Sequence, residues 1–106
     1  MADDPLDALD AIIRSRRGDD PATSYTAQLF AKGRAKIAQK VGEEAVETVI
    51  AAMGDDASAL TVEAADLIYH LLVLLADAGL SLDDVRAELA RRTGQSGLTE
   101  KANRSE

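Results

Sequence analysis

The chain contains no cysteine and no tryptophan, and it has one histidine, two tyrosines and one phenylalanine. Without cysteine there is no disulfide, no thiolate metal site and no cysteine nucleophile. The lone imidazole, His70, cannot build a multi-histidine zinc site. An aromatic content of 3% leaves no stacking platform of the kind that binds single-stranded nucleic acid. Positive charge is also scarce. Twelve Lys and Arg face nineteen Asp and Glu, for a formal net charge of -7, so nothing draws the chain to nucleic acid or an anionic membrane over long range. A phosphate ligand on such a chain needs a bridging cation. The N-terminus, MADDPLDALD, lacks the basic segment and apolar core of a signal peptide. No apolar run is expected to reach the roughly 20 residues of a membrane span, which makes the cytoplasm the expected compartment.

What is present is ordinary for a folded protein: 46% hydrophobic and 29% charged residues over 106 positions, enough for one domain with a modest core. That domain is expected over residues 1–95, with the polar tail 96–106 partly ordered. Short connectors at RRGDDPAT, MGDDAS and AGLS separate stretches with Leu, Ile, Val and Ala at three- and four-residue spacing, the mark of amphipathic helices. The spacing predicts an all-α chain of four to five helices. The first runs from about Asp4 to Arg16, the second from Ser24 to Met53 with Gly33 and Gly42 as weak points, the third from Asp56 to just before Gly79. A fourth starts at Ser81, where Ser-x-x-Asp resembles a capping box. Within the third helix, LIYHLLVLLA is apolar nearly all round, which a surface helix of a small monomer does not sustain, so a bundle made by two chains is expected.

The acids carry the chemical signal. KVGEEAVETVIAA places Glu43, Glu44 and Glu47 within two turns. The connector between the second and third helices centres near Asp55, so in an antiparallel hairpin two residues lie level when their numbers add to about 110. Glu47 pairs with Glu63 by that rule, Glu44 with Asp66, and Lys40 with His70. Lys36, Lys40, Glu44 and Glu47 share one helix face, and Glu63, Asp66 and His70 share another. Four carboxylates therefore converge. Like charges so close require protons or a cation to neutralise them, and an oxygen-only donor set favours Mg²⁺ or Mn²⁺. With Lys36 and Lys40 on the same face, the constellation suggests metal-assisted hydrolysis of a phosphoanhydride. EExxE alone is usually a solvated helix face; ExxD at the matching level of the next helix makes the pattern specific.

EEAVE, fifteen residues, then EAAD resembles the metal-binding signature of the all-α nucleoside triphosphate pyrophosphohydrolases. More closely, SYTAQLFAKGRAKIAQKVGEEAVETVIAA, EAADLIYHLLVLLADAGLSLDDVRAELARR and SGLTEKANR resemble the phosphoribosyl-ATP pyrophosphohydrolases of histidine biosynthesis, from about Leu6 to Arg104. The resemblance implies Mg²⁺-dependent hydrolysis of phosphoribosyl-ATP to phosphoribosyl-AMP and pyrophosphate. It makes Glu44, Glu47, Glu63 and Asp66 metal ligands, with Glu43 and Glu47 as candidates for the catalytic step. Lys36 and Lys40 would meet the polyphosphate with His70 beside them. Ser24, Tyr25, Thr26, Lys32 and Gly33 would offer hydroxyls and N–H groups to an anion, although Ser24 equally suits a plain N-cap. Arg91 would reach substrate or complement the negative end of its helix. A homodimer is implied, as is a separate phosphoribosyl-AMP cyclohydrolase acting next.

Two other readings compete. A house-cleaning hydrolase of dUTP or modified nucleotides would share the acids and differ in substrate. A helical adaptor with a solvated acidic face would gain no stability from Mg²⁺, whereas a four-carboxylate site would.

Overall fold

A computed structural model of the chain describes residues 4–93. They form five helices and, among the described residues, no strand: α1 (Pro5–Ser15), α2 (Tyr25–Lys32), α3 (Arg34–Ala52), α4 (Ala57–Asp77) and α5 (Leu82–Arg91). The expected tail 96–106, with the SGLTEKANR segment, lies outside the described residues.

Local sequence explains most of the boundaries. Asp4 caps α1 by accepting from Leu6 N–H at 2.9 Å, with Pro5 in the first turn where its missing donor costs nothing. Asp56 caps α4 by accepting from the N–H groups of Ser58 and Ala59. The Ser81 N–H donates to Asp84 Oδ2 at 2.8 Å, half of the reciprocal cap expected there. Helix α4 stops at Gly79, whose φ of 79° few side chains tolerate. Leu80 N–H then reaches back to Leu75 O and Gly79 N–H to Ala76 O, the 6→1 and 5→2 pattern of a glycine stop. Two arginines finish the cap: Arg17 donates to Ala76 O at 2.6 Å and Arg34 to Asp77 O at 3.1 Å. Arg34 also pairs with the Asp77 carboxylate.

The expected second helix, Ser24 to Met53, is instead two. Gly33 sits at φ 94°, ψ 172° between α2 and α3, a region open essentially to glycine alone. Gly42 leaves α3 uninterrupted.

Helices α3 and α4 form the long antiparallel hairpin on which everything else rests. The core lies at one end of it. Ile13 of α1, Leu29 of α2, Ile37 of α3, and Leu72, Val73 and Ala76 of α4 are buried together. The α4 members all follow His70, so the hairpin's other half, toward the Met53–Asp56 turn, projects from the core. There Val46, Val49 and Ile50 of α3 and Met53 at its C-cap are 59%, 61%, 65% and 78% exposed, and Val62, Ile68 and Leu71 of α4 are exposed too.

By length and composition α4 is apolar enough to cross a membrane, contrary to the expectation from sequence. It does not read as a span: it carries Glu63, Asp66 and His70, of which Glu63 is half-buried and His70 buried within the described residues. Helix α5 packs Leu82 on the core and is tied to α1 by Arg86, which bonds Asp7 and Asp4.

Candidate metal centre

One carboxylate oxygen from each of Glu44, Glu63 and Asp66 lies within 4.8 Å of the others. The level rule read from the sequence accounts for this, and a hydroxyl fixes it: Thr48 Oγ1 donates to Glu44 O at 2.7 Å and lies 3.2 Å from Glu63 O across the hairpin. Glu44 is buried, Glu63 half-buried and Asp66 exposed, so the cluster opens from the helix interface to solvent. Glu47 is exposed beside Glu44 rather than within the group of three. Burial first, and then the neighbouring Glu47 carboxyl, push the Glu44 pKa above its ordinary value. Among the described residues none of the four is ion-paired; the lysine nearest in sequence, Lys40, is committed to Glu43 at 3.4 Å. Three converging oxygens, no amine to neutralise them and no sulfur or second imidazole fit a hard divalent cation.

The remaining predicted residues divide. Glu43 points to the exposed side of α3, where Gln39 donates to it at 2.8 Å and Lys40 pairs with it. Those two contacts, the Gln39 bond foremost, lower its pKa, and Glu43 in return raises that of Lys40. Lys36, half-buried one turn earlier, adds to the positive field at Glu43. Lys32 is exposed at the end of α2. Ser24 is the N-cap of α2, its Oγ accepting from Ala27 N–H at 3.1 Å. Arg91 is held by a two-point bond to Glu88 on its own helix.

The break at Gly33 does the rest. In one straight helix Tyr25 would stand about 22 Å beyond Lys40 along the axis, past the end of α4 at Asp77. Folded back at Gly33, α2 instead lays its first turn on α4. Tyr25 Oη lies 3.4 Å from His70 Nε2, and Thr26 Oγ1 lies 2.5 Å from Tyr69 Oη. The Tyr25 and Tyr69 rings stack at 6.3 Å, and His70 stands edge-on to both. His70 is buried, with Nδ1 2.8 Å from Asp66 O. The tyrosine and histidine thus border the acids, one turn from Asp66. Thr48 and Tyr69 were not singled out from the sequence. Their only signal was position: Thr48 falls within one residue of the level of Glu63, and Tyr69 adjoins His70.

The family model of phosphoribosyl-ATP pyrophosphohydrolase matches residues 6–93. A phosphoribosyl-ATP pyrophosphatase of Rhizorhabdus wittichii is 65% identical over 99 residues, 93% of each chain. That of Paramagnetospirillum magneticum is 59% identical over 94% of this chain and 92% of its own. That of Sinorhizobium medicae is 56% identical over 98% of this chain and 97% of its own. With the acid cluster inside the matched span, the chain belongs to the phosphoribosyl-ATP pyrophosphohydrolase family.

Proposed function

We propose that this chain hydrolyses phosphoribosyl-ATP to phosphoribosyl-AMP and pyrophosphate, a step of histidine biosynthesis, with Mg²⁺ or Mn²⁺ held by Glu44, Glu63 and Asp66 and with Glu47 as the adjoining carboxylate. The observation that carries the reading is the set of three carboxylate oxygens within 4.8 Å, free of any ion pair among the described residues, in a chain of this family. When bound, the cation offsets the charge of the substrate phosphates and of the clustered acids.

The chain's own groups do the remaining work. Lys40 and Lys36 lie on the face of α3 that continues from the acids and hold the polyphosphate electrostatically. Glu47, exposed beside Glu44, is placed to orient a water on the solvent side. Glu43 positions Lys40; its lowered pKa makes it a weak base for deprotonating water.

The projecting half of the hairpin supports a homodimer. Val46, Val49, Ile50 and Met53, at three- and four-residue spacing, expose a contiguous apolar strip of the kind that marks an interaction surface, and a second copy would cover it. The enzyme would work in the cytoplasm and pass phosphoribosyl-AMP to a separate cyclohydrolase.

The test is pyrophosphate release from phosphoribosyl-ATP, ATP and dUTP at equal concentration, with Mg²⁺ and with chelator. Release from phosphoribosyl-ATP alone, and only with metal, is expected. Release from ATP or dUTP instead would move the protein to nucleotide house-cleaning, and silence on all three would leave an adaptor.

A further inference from the structure

His70 is the single histidine of the chain and is 5% exposed. Its Nδ1 lies 2.8 Å from the carbonyl oxygen of Asp66, one turn earlier on α4. A carbonyl only accepts, so Nδ1 carries the hydrogen, and in the neutral ring Nε2 is left as a bare acceptor. The group facing Nε2 is the Tyr25 hydroxyl, at 3.4 Å. A hydroxyl has one hydrogen, and the imidazole takes it.

We infer that His70 is a positioning residue: by accepting the Tyr25 hydrogen it turns Tyr25 Oη into a hydrogen-bond acceptor at the rim of the acid site, so that Tyr25 reads a sugar hydroxyl of the substrate and not a phosphate oxygen. Phosphate oxygens at neutral pH only accept, and an oxygen offering lone pairs repels them. For Tyr25 this differs from the anion-holding role that the hydroxyl-rich SYT run suggests. Tyr25 is 49% exposed, so the outer side of its oxygen is open. A cation at Glu44, Glu63 and Asp66 would bind phosphates, and the group joined to the α-phosphate of a nucleotide is its ribose. On that substrate the donor we assign to Tyr25, beside His70 and one turn along α4 from Asp66, is a ribose hydroxyl.

The inference rests on the proposed substrate, and the experiment has two independent arms. The first needs no substrate. Because the chain has one imidazole, a long-range ¹H–¹⁵N spectrum at about pH 8, where a free histidine is neutral, reads its tautomer without assignment. A protonated Nδ1 and an unprotonated Nε2 are expected, with the Nε2 shift moving in Tyr25→Phe. A protonated Nε2 would overturn the assignment whatever the enzyme hydrolyses.

The second arm compares phosphoribosyl-ATP with the phosphoribosyl adducts of 2′-deoxy-ATP and 3′-deoxy-ATP. Wild type should lose roughly 5- to 10-fold in kcat/KM on one deoxy adduct, the scale of one neutral hydrogen bond. Tyr25→Phe and His70→Asn should show that loss already on phosphoribosyl-ATP, mainly in KM, and should no longer discriminate. Asparagine keeps a donor for Asp66 but is too short for Tyr25. His70→Gln, whose amide reaches Tyr25, should restore discrimination. A purely structural His70 would not move that ratio. Discrimination that survives in Tyr25→Phe, or is absent from wild type, would overturn the sugar assignment. Wild type inactive on phosphoribosyl-ATP would remove that assignment together with the proposed function, while the tautomer result would stand apart.

Discussion

Thr48 on α3 and Glu63 on α4 are joined by a side chain: the threonine Oγ1 lies 3.2 Å from the glutamate carbonyl while also donating to Glu44 O. Shared between the two carbonyls, the one hydroxyl hydrogen ties the helices at the level where Glu44 lies opposite Glu63 and Asp66. Thr48→Val keeps the shape and removes the hydroxyl, so it should cost about 1 kcal/mol, a fall of several degrees in Tm by calorimetry. Divalent-metal affinity should weaken several-fold in the same variant, because the carboxylates lose their fixed spacing.

Metal binding should be visible as stability. At a Mg²⁺ concentration of about 100 Kd the folded state gains about 2.7 kcal/mol, read as a rise in Tm that chelator reverses. Glu63→Gln should abolish both that rise and, by at least about 100-fold, the turnover. In metal-free buffer the same variant should melt no lower than wild type, since it removes one of several repelling charges.

Two glycines give opposite outcomes. Gly33 has φ 94° and ψ 172°, so Gly33→Ala should cost about 1–3 kcal/mol and lower activity further by displacing Tyr25. Gly42 lies inside α3 with open space where a Cβ would go. Gly42→Ala should stabilise by about 0.5–1 kcal/mol. Chemical denaturation of the two variants is the check.

Charge on the projecting strip should break the assembly. Ile50→Glu, at a position 65% exposed in the single chain, leaves a monomer's core untouched. Sedimentation should shift from dimer to monomer. A wild type that sediments as a monomer would refute the dimer.

Acid should loosen α5. Its own turns are braced by Glu88, whose pKa is brought down to about 2 by Arg91 and then Arg92, and its tie to α1 is Asp7, lowered chiefly by its bond to Arg86. Both carboxylates have folded pKa values below their unfolded ones. Their contribution is therefore present above about pH 4.5 and is lost as pH falls toward 2. Amide protection in α5, taken relative to the intrinsic exchange rate at each pH, should fall across that window before that of the core amides, and Arg86→Ala should reproduce part of the effect at neutral pH.

The hairpin and its acids were legible because helix geometry is local and the connector is short: once the turn is centred near Asp55, the level of every pair follows. The corner at Gly33 was not. Gly33 and Gly42 are both glycines in amphipathic stretches, and only tertiary packing tells them apart: the burial of Ala27 and Leu29 and the contacts of Tyr25 and Thr26 require α2 to fold back. The glycine stop of α4 was expected, but the arginines that complete it were not: nothing local marks Arg17 and Arg34, which bond carbonyls 59 and 43 residues away. The exposure of the strip from Val46 to Met53 is where the apolar excess of the sequence emerges, though on α3 as much as on α4.

The corner at Gly33 also bears on the order of assembly. Thr48 and Glu63 are 15 residues apart in the chain, whereas Tyr25 and His70 are 45 apart. Closing the longer loop carries the larger entropy, and contacts local in sequence form sooner. The carboxylates would then gather while the aromatic rim was still loose, so the acids and the rim that borders them would mature at separate stages.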